Sequence, residues 1–441
     1  MRRFNPPSQP GRPIRVLLTE GTSLSSRQTV YALGYAGAVI DICDPRPLMC
    51  LARYSRFVRA CYRCPSFTQD PVAYIQFLND RLRAKSYDVL FPVHDQVYLL
   101  SRMREAFADK VGLPVPDFAA VERLQSKAEF VRLLAELSLP HPPTVLVRTR
   151  AQLEQAATFP CYVKLPFSTA GRGVWLVGDA AERDDVAHRL EKEGRLAGAT
   201  EVLVQQPAPG VLGVVQCVFQ HGRLVAGHCY LALALGVGGS ACARVSVRHP
   251  LVLEQVAALG AHLRWHGALT FDYLWDPATG RPAYIDSNPR IGETLNATLS
   301  GVNLCAALVQ VALGLPASTF VPGRQGLRSH NTLLTLLAKA QRGHPRRSLL
   351  AELWQACSHQ GAYAGSQDEL IRPHDDFLSL LPAAWLTARI LLNPRSSERI
   401  VNRTVENYAL SEEAAQAIRE LALLSRPAGS IAEPRNPLSA L

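Results

Sequence analysis

Residues 267–301, GALTFDYLWDPATGRPAYIDSNPRIGETLNATLSG, constrain the chain more than any other stretch. Ala268 to Trp275 is rich in strand formers, Asp276-Pro277-Ala278-Thr279-Gly280 supplies turn chemistry, and Ala283 to Asp286 returns as a second strand. The segment therefore predicts a β-hairpin followed by a loop. The hairpin brings Asp272 on one strand near Asp286 and Asn288 on the other. Oxygen ligands converging on one end of a small sheet suit a hard cation, Mg²⁺ in the first place. That ion keeps several waters and takes its remaining ligands from phosphates. Arg290 offers a planar donor for a carboxylate or a phosphoryl oxygen. A surface hairpin with solvated acids is the competing reading of this stretch taken alone.

A chain of 441 residues is too long for one ordinary core and long enough for two or three domains. Its net charge of +10 suits either a nucleic-acid binder or an enzyme of anionic nucleotides and carboxylates. The charges are dispersed, without the basic run expected of a nucleic-acid arm, so the second alternative is preferred. The 10 cysteines are scattered, and Cys61-x-x-Cys64 lacks the second pair or clustered histidines of a zinc site. Reduced thiols follow, and with no apolar h-region in MRRFNPPSQPGRP and no run long enough to span a bilayer, a cytoplasmic location is expected.

Arg15 to Thr19 reads as a buried strand, Ser25-Ser26-Arg27-Gln28 as a capping box opening a helix through about Tyr35, and Ala38 to Cys43 as the next strand. This βαβ start predicts a parallel sheet. Asp88 to Val93 is a later strand of the same kind, ending at His94-Asp95. Open α/β sheets bind ligands at the carboxyl ends of their strands, which makes Gly21, Thr22, Ser23, His94 and Asp95 candidates for substrate contact. Helix caps in a strand-end loop are the alternative. No GxGxxG follows the first strand, so a dinucleotide site is not supported.

Pro114-Val115-Pro116-Asp117 reads as a linker. Ser126-Lys127-Ala128-Glu129 then fits a capping box before an apolar-periodic run, so a helix is expected from Lys127 to before Pro140. A lysine has the wrong sign for that end of a helix, a conflict that an intervening phosphate would resolve. Cys161 to Leu165 is a strand carrying Lys164, and Ser168-Thr169-Ala170-Gly171-Arg172-Gly173 is a small-residue loop whose amides could close over a polyphosphate. Glu201 to Gln206 is another short strand. Gly236-Val237-Gly238-Gly239-Ser240, followed by Arg244, reads either as a further donor loop near the substrate or as a plain turn.

The ordered set of Lys127, Lys164 with its 168–173 loop, the VLVQQPAPG segment and Asp272…Asp286-Ser287-Asn288-Pro289-Arg290 resembles the ATP-grasp superfamily. Within it, the set is most similar to carboxylate–amine ligases and carbamoyl-phosphate-synthase-like members. The resemblance runs from about Arg15 to Pro316. It implies an ATP-grasp fold behind an N-terminal parallel-sheet α/β (pre-ATP-grasp) domain. It also implies ATP contacts at Lys127, Lys164, Ser168, Thr169, Gly171, Arg172, Gly173, Val204, Gln205 and Gln206. One or two Mg²⁺ ions, with Mn²⁺ as a substitute, would lie on Asp272, Asp286 and Asn288. Arg290 is the implied catalytic residue, stabilising an acyl phosphate or its oxyanion, with Gly238, Gly239 and Arg244 as weaker substrate candidates. The sequence departs from the pattern in three places. Asp286 stands where Glu is usual, Gln205 stands where Glu is frequent, and Gly210-Val211-Leu212-Gly213 shows no ribose-gripping glutamate.

The implied activity is ATP- and Mg-dependent joining of a carboxylate, of an amino acid or small metabolite, to an amine, with release of ADP and phosphate. Carboxyl or carbamoyl phosphate chemistry and a degenerate nucleotide-binding module are the alternatives. Beyond Pro316 the pattern is mostly helical, with helices expected at Asn331–Gln341, Ser348–Cys357, Leu380–Leu392 and Glu412–Leu424 after one at Asn303–Gly314. Leu380–Leu392 is apolar nearly all round and suits a packed core or a homodimer face better than membrane docking. The resulting division is a disordered lead (1–13), an α/β domain (14–115), an ATP-grasp domain (116–316) with a mobile lid at about 143–206, a helical domain (317–425) and a disordered tail (426–441).

Overall fold

Parallel βαβ winding begins the chain, as its alternation of short apolar runs and helical periods requires. The computed structural model describes residues 12–169, 171–316, 320–370 and 376–421. Most of the expected lead and tail therefore lie outside the described residues, as does Ala170 of the small-residue loop. Strands β1 (Arg15–Leu18), β2 (Val39–Asp44), β3 (Val58–Arg63) and β4 (Val89–Phe91) form one parallel sheet in the order β3-β2-β1-β4. Helices α1 (Leu24–Tyr35), α2 (Pro71–Ala84) and α3 (Gln96–Arg102) connect and follow them. Helix α1 begins two residues earlier than its capping box suggests, because Ser23 is the cap and accepts from the Ser26 amide. The Glu20 carboxylate in turn holds the Ser23 and Ser26 hydroxyls.

Helices α4 (Phe118–Gln125) and α5 (Lys127–Glu136) carry the chain onward. Helix α5 starts at Lys127 as expected, but its capping box does not close. The Lys127 amide donates instead to the Pro166 carbonyl at 2.9 Å. A small antiparallel sheet follows, β5 (Thr144–Val147), β6 (Cys161–Lys164), β7 (Val174–Val177) and β8 (Val202–Gln205), in the order β5-β8-β6-β7. Helices α6 (Arg150–Ala156) and α7 (Ala180–Lys192) are part of the same unit, and Leu153, Val163, Leu190 and Val202 form its core.

The large sheet is built from β9 (Val211–Gln220), β10 (Arg223–Leu235), β11 (Ala241–Val247), β12 (Gly267–Asp276) and β13 (Arg281–Asn288), with α8 (Pro250–His262) between β11 and β12. The expected hairpin is β12–β13, longer at both ends than its strand formers alone imply. Helices α9 (Leu295–Ser300) and α10 (Leu304–Ala312) follow, the latter capped by the Asn303 side chain.

Two strands of the mostly helical last region complete that sheet. β14 (Arg328–His330) pairs antiparallel with β11, and β15 (Ser366–Asp368) pairs parallel with β14, giving β13-β12-β9-β10-β11-β14-β15. Around them lie α11 (Thr332–Gln341), α12 (Arg346–Cys357), α13 (Leu380–Leu392), α14 (Ser396–Glu406) and α15 (Glu412–Glu420). Helix α13 packs on α11 but buries only Ile390 fully, and Leu381, Trp385 and Leu392 stay exposed. Its apolar sequence thus serves one face rather than a closed core. No helix among the described residues is long and apolar enough to cross a membrane.

Candidate active site

The hairpin β12–β13 places the first acids. Asp272 is the cross-strand partner of Asp286, and Thr270 that of Asn288, so both carboxylates and the amide lie at neighbouring rungs of one ladder. All three side chains line a single cavity of about 420 Å³. Burial, and then the charge of Asp286, push Asp272 up to about 7, against the pull of Lys127, Arg290 and Lys164.

Two lysines face these acids from different elements. Lys127, in the first turn of α5, donates from Nζ to Asp286 Oδ1 at 2.6 Å. Lys164, at the end of β6, donates to Gln205 Oε1 at 2.6 Å, and Gln205 donates on to Thr144 Oγ1 at 2.9 Å. Burial lowers Lys164 to about 8, while Asp286 and Asp272 oppose the shift. The two lysines thus share one charge environment although 37 positions separate them in the chain. Gln205 is half of the lysine's support rather than a free edge group.

The small-residue loop covers this ground. Gly171 and Gly173 adopt φ of 73° and 66°, the left-handed region that a glycine fills without strain. The loop tip meets the second glycine loop, since a Cβ on Gly171 would lie 2.8 Å from the Gly238 carbonyl oxygen. Ser168, Thr169, Gly171, Gly238 and Gly239 all line the cavity. The buried Ser168 hydroxyl has no hydrogen-bond partner among the described residues. Arg172 turns away and donates to Asn402 of α14 at 2.6 Å. Val204 packs in the small-sheet core, and the Gln206 side chain bonds Thr158, so neither side chain joins the cavity wall.

Arg290 lines the cavity but is not unpaired. Its guanidinium binds Asp95, whose other oxygen accepts the Leu410 amide at 2.9 Å. Asp95, a candidate for substrate contact by its strand-end position, is therefore spent on holding Arg290. His94 beside it has neither ring nitrogen partnered, stacks on Tyr408 at 4.0 Å and lines the cavity. Burial and the Arg290 charge hold its pKa well below the usual histidine value, so it is a neutral hydrogen-bonding group. Of the first βα loop, Ser23 reaches the cavity wall, while Gly21 and Thr22 bond Asp44.

Arg244, expected near the substrate, is locked. It donates to Glu369 at 2.5 Å and to the Ala241 carbonyl at 2.8 Å, binds Glu293, and lies over the Tyr230 ring. Glu293, Tyr230, Tyr408 and Gln216 are cavity residues that sequence reasoning missed. Glu293 follows the Asn-Pro-Arg stretch closely enough to have been flagged. Tyr408 lies in a region with no chemical motif.

The donor set fits a hard cation with phosphate ligands. Among the described residues no group of three or more His, Cys, Asp or Glu could hold a metal ion on its own. Asp272, Asp286 and Asn288 offer two carboxylates and an amide, which leaves coordination positions for water and phosphate oxygens. The unpartnered Ser168 hydroxyl and the two buried lysines are donors of the kind that phosphate oxygens would need. The ten described cysteines are free, so Cys61-x-x-Cys64 closes no disulfide.

No family model matches the sequence, and no curated sequence matches it. Solved structures do. The chain is similar to an N5-carboxyaminoimidazole ribonucleotide synthetase in its ADP complex, with a TM-score of 0.58, 15% identity and coverage of 88% of this chain and 98% of that one. It is similar to L-amino acid ligase from Bacillus licheniformis, with a TM-score of 0.53, 15% identity and coverage of 69% and 75%. It is likewise similar to biotin carboxylase from Campylobacter jejuni, with a TM-score of 0.54, 14% identity and coverage of 69% and 72%. These are ATP-grasp enzymes, and the chain has the ATP-grasp fold with a parallel-sheet domain before it.

Proposed function

We propose that this ATP-grasp chain is an ATP- and Mg²⁺-dependent ligase that activates a carboxylate as an acyl phosphate and joins it to an amine, releasing ADP and phosphate. One observation carries the reading. Asp272, Asp286 and Asn288 meet Lys127 and Lys164 in a single cavity that Ser168, Thr169 and Gly171 also line. Phosphoryl transfer needs positioning and charge neutralisation more than covalent help, and these residues supply both.

In this proposal Lys127, Lys164 and the 168–173 loop bind the triphosphate, and the Val204–Gln206 strand end receives the adenine. Asp272, Asp286 and Asn288 would hold Mg²⁺, which when bound neutralises charge developing between the β- and γ-phosphates. The γ-phosphoryl group moves to a carboxylate oxygen and ADP leaves. The amine nitrogen then attacks the acyl carbon, phosphate departs with that oxygen, and the nitrogen loses a proton. Arg290, held by Asp95 at the cavity wall, would stabilise the negative charge that develops on the acyl group.

Isotope transfer tests the acyl phosphate. An acid labelled with ¹⁸O in its carboxylate should yield inorganic phosphate carrying one ¹⁸O per turnover. Unlabelled phosphate, or label recovered in AMP, would refute the mechanism.

A further inference from the structure

The cavity that holds the acids and lysines continues into a second lobe. Its walls there are Leu333, Leu334 and Leu337 of α11, Leu386 of α13, and Val401 and Val405 of α14. All of them but Val405 belong to the helical cluster around Leu336, Leu349 and Ile390 or pack against its edge, and all six line the cavity. Apolar side chains that border open space gain by being covered, at roughly 25 cal/mol per Å² of apolar surface removed from water. The lobe is better explained by an occupant than by loose packing.

The junction between the two ends says what that occupant is. Arg244 is matched by Glu293 and Glu369, and Arg290 by Asp95. Two carboxylates against the one Arg244 guanidinium leave a negative charge over at Glu293, which lines the cavity, so this junction suits a cationic group such as an α-ammonium and disfavours a second anionic one. Uncharged polar atoms do remain: both ring nitrogens of His94 and Oε1 of Gln216 are buried, line the cavity and have no partner. They suit the neutral hydrogen-bonding middle of a molecule whose reacting carboxylate points toward Arg290 and Asp286.

We propose that the acid activated by this protein carries a bulky apolar group, seated against α11, α13 and α14, so that the C-terminal helices set substrate choice. The proposal rests on the ligase reading for the identity of the reacting end. Two sources share this chemistry, an apolar α-amino acid and the simple acid lacking its amino group.

Calorimetry on the full chain with Mg·ADP, titrating glycine, L-alanine, L-leucine, L-phenylalanine, 4-methylpentanoate and 3-phenylpropanoate, tests it. At least one of the leucine-sized or phenylalanine-sized acids should bind 10-fold or more tightly than glycine and alanine. Comparing each amino acid with its amine-free counterpart tells which source is read. Val401→Phe, which narrows the lobe, should weaken the large acids about 10-fold and leave ADP affinity as in the parent. Leu386→Ala, which widens it, should shift preference toward phenylalanine. Flat affinity across the series, no binding of any member, or parental selectivity in Val401→Phe with ADP binding intact would each overturn the proposal. Phosphate release on the same series separates the two claims. Selective binding without turnover on any amine would count against the ligase and leave the lobe standing, whereas turnover confined to small polar acids would do the reverse.

Discussion

Lys127 and Asp286 lie 159 residues apart and meet at 2.6 Å, so the ion pair is a product of the fold rather than of local sequence. Asp286→Asn removes one metal-directed charge and one partner of a nearly buried lysine. Its activity should fall by orders of magnitude while stability drops by about 1 kcal/mol, read by denaturant titration. Asp286→Glu should retain measurable turnover, because it restores the charge. Lys164 makes the opposite demand. It is held at about 8 by burial, so its folded pKa lies below the ordinary lysine value. Below pH 8 it is charged in both folded and unfolded states and costs the fold about 3 kcal/mol, a cost relieved as pH rises from 8 toward 10.5. Lys164→Met should therefore stabilise the nucleotide-free protein at pH 7, by about 1 to 2 kcal/mol after losing the Gln205 hydrogen bond. Parental ADP affinity should weaken above pH 8, and that of Lys164→Met should be low and flat with pH. A parental affinity that is constant from pH 7 to 9.5 would contradict this role.

Loops decide the next scale. The 168–173 and 236–240 loops touch at Gly171 and Gly238, where no room exists for a Cβ. Gly171→Ala should strain a φ of 73° and push the loops apart, raising KM for ATP about 10-fold with little change in thermal midpoint. A parental KM would show that the contact is incidental. Elements of this kind were legible only in part. The hairpin, the βαβ start, the Lys127 helix and the Leu380–Leu392 helix announce themselves through period, turns and Asn or Gly punctuation. Helix α14 is missing from that reading although it is amphipathic, with Ile400 and Val405 on its one buried face. Ser126 marks the start of its helix as the sequence indicates, although its side chain makes no cap hydrogen bond, and the Lys127 amide is held separately by the Pro166 carbonyl.

At the scale of the whole molecule, the last region is built into the site rather than appended to it. β14 and β15 extend the large sheet, Glu369 is fully buried against Arg244, and the Leu410 amide secures Asp95. None of this was readable from residues 320–421, since a network formed by Gln28, Arg244, Ser329 and Glu369 has no sequence spacing to betray it. A chain ended after Pro316 should accordingly fail to fold, with far-UV circular dichroism and exchange of core amides showing the loss. A soluble, cooperatively folding fragment would refute that dependence. The central claim joins one chemistry to one set of side chains, and phosphorus NMR of the full reaction tests it most directly. Incubated with ATP, Mg²⁺, an apolar amino acid and an amine panel, the parent protein should form ADP and inorganic phosphate only when acid and amine are both present, and Asp286→Asn should form neither. AMP with pyrophosphate, or equal ADP production by the parent and Asp286→Asn, would contradict it.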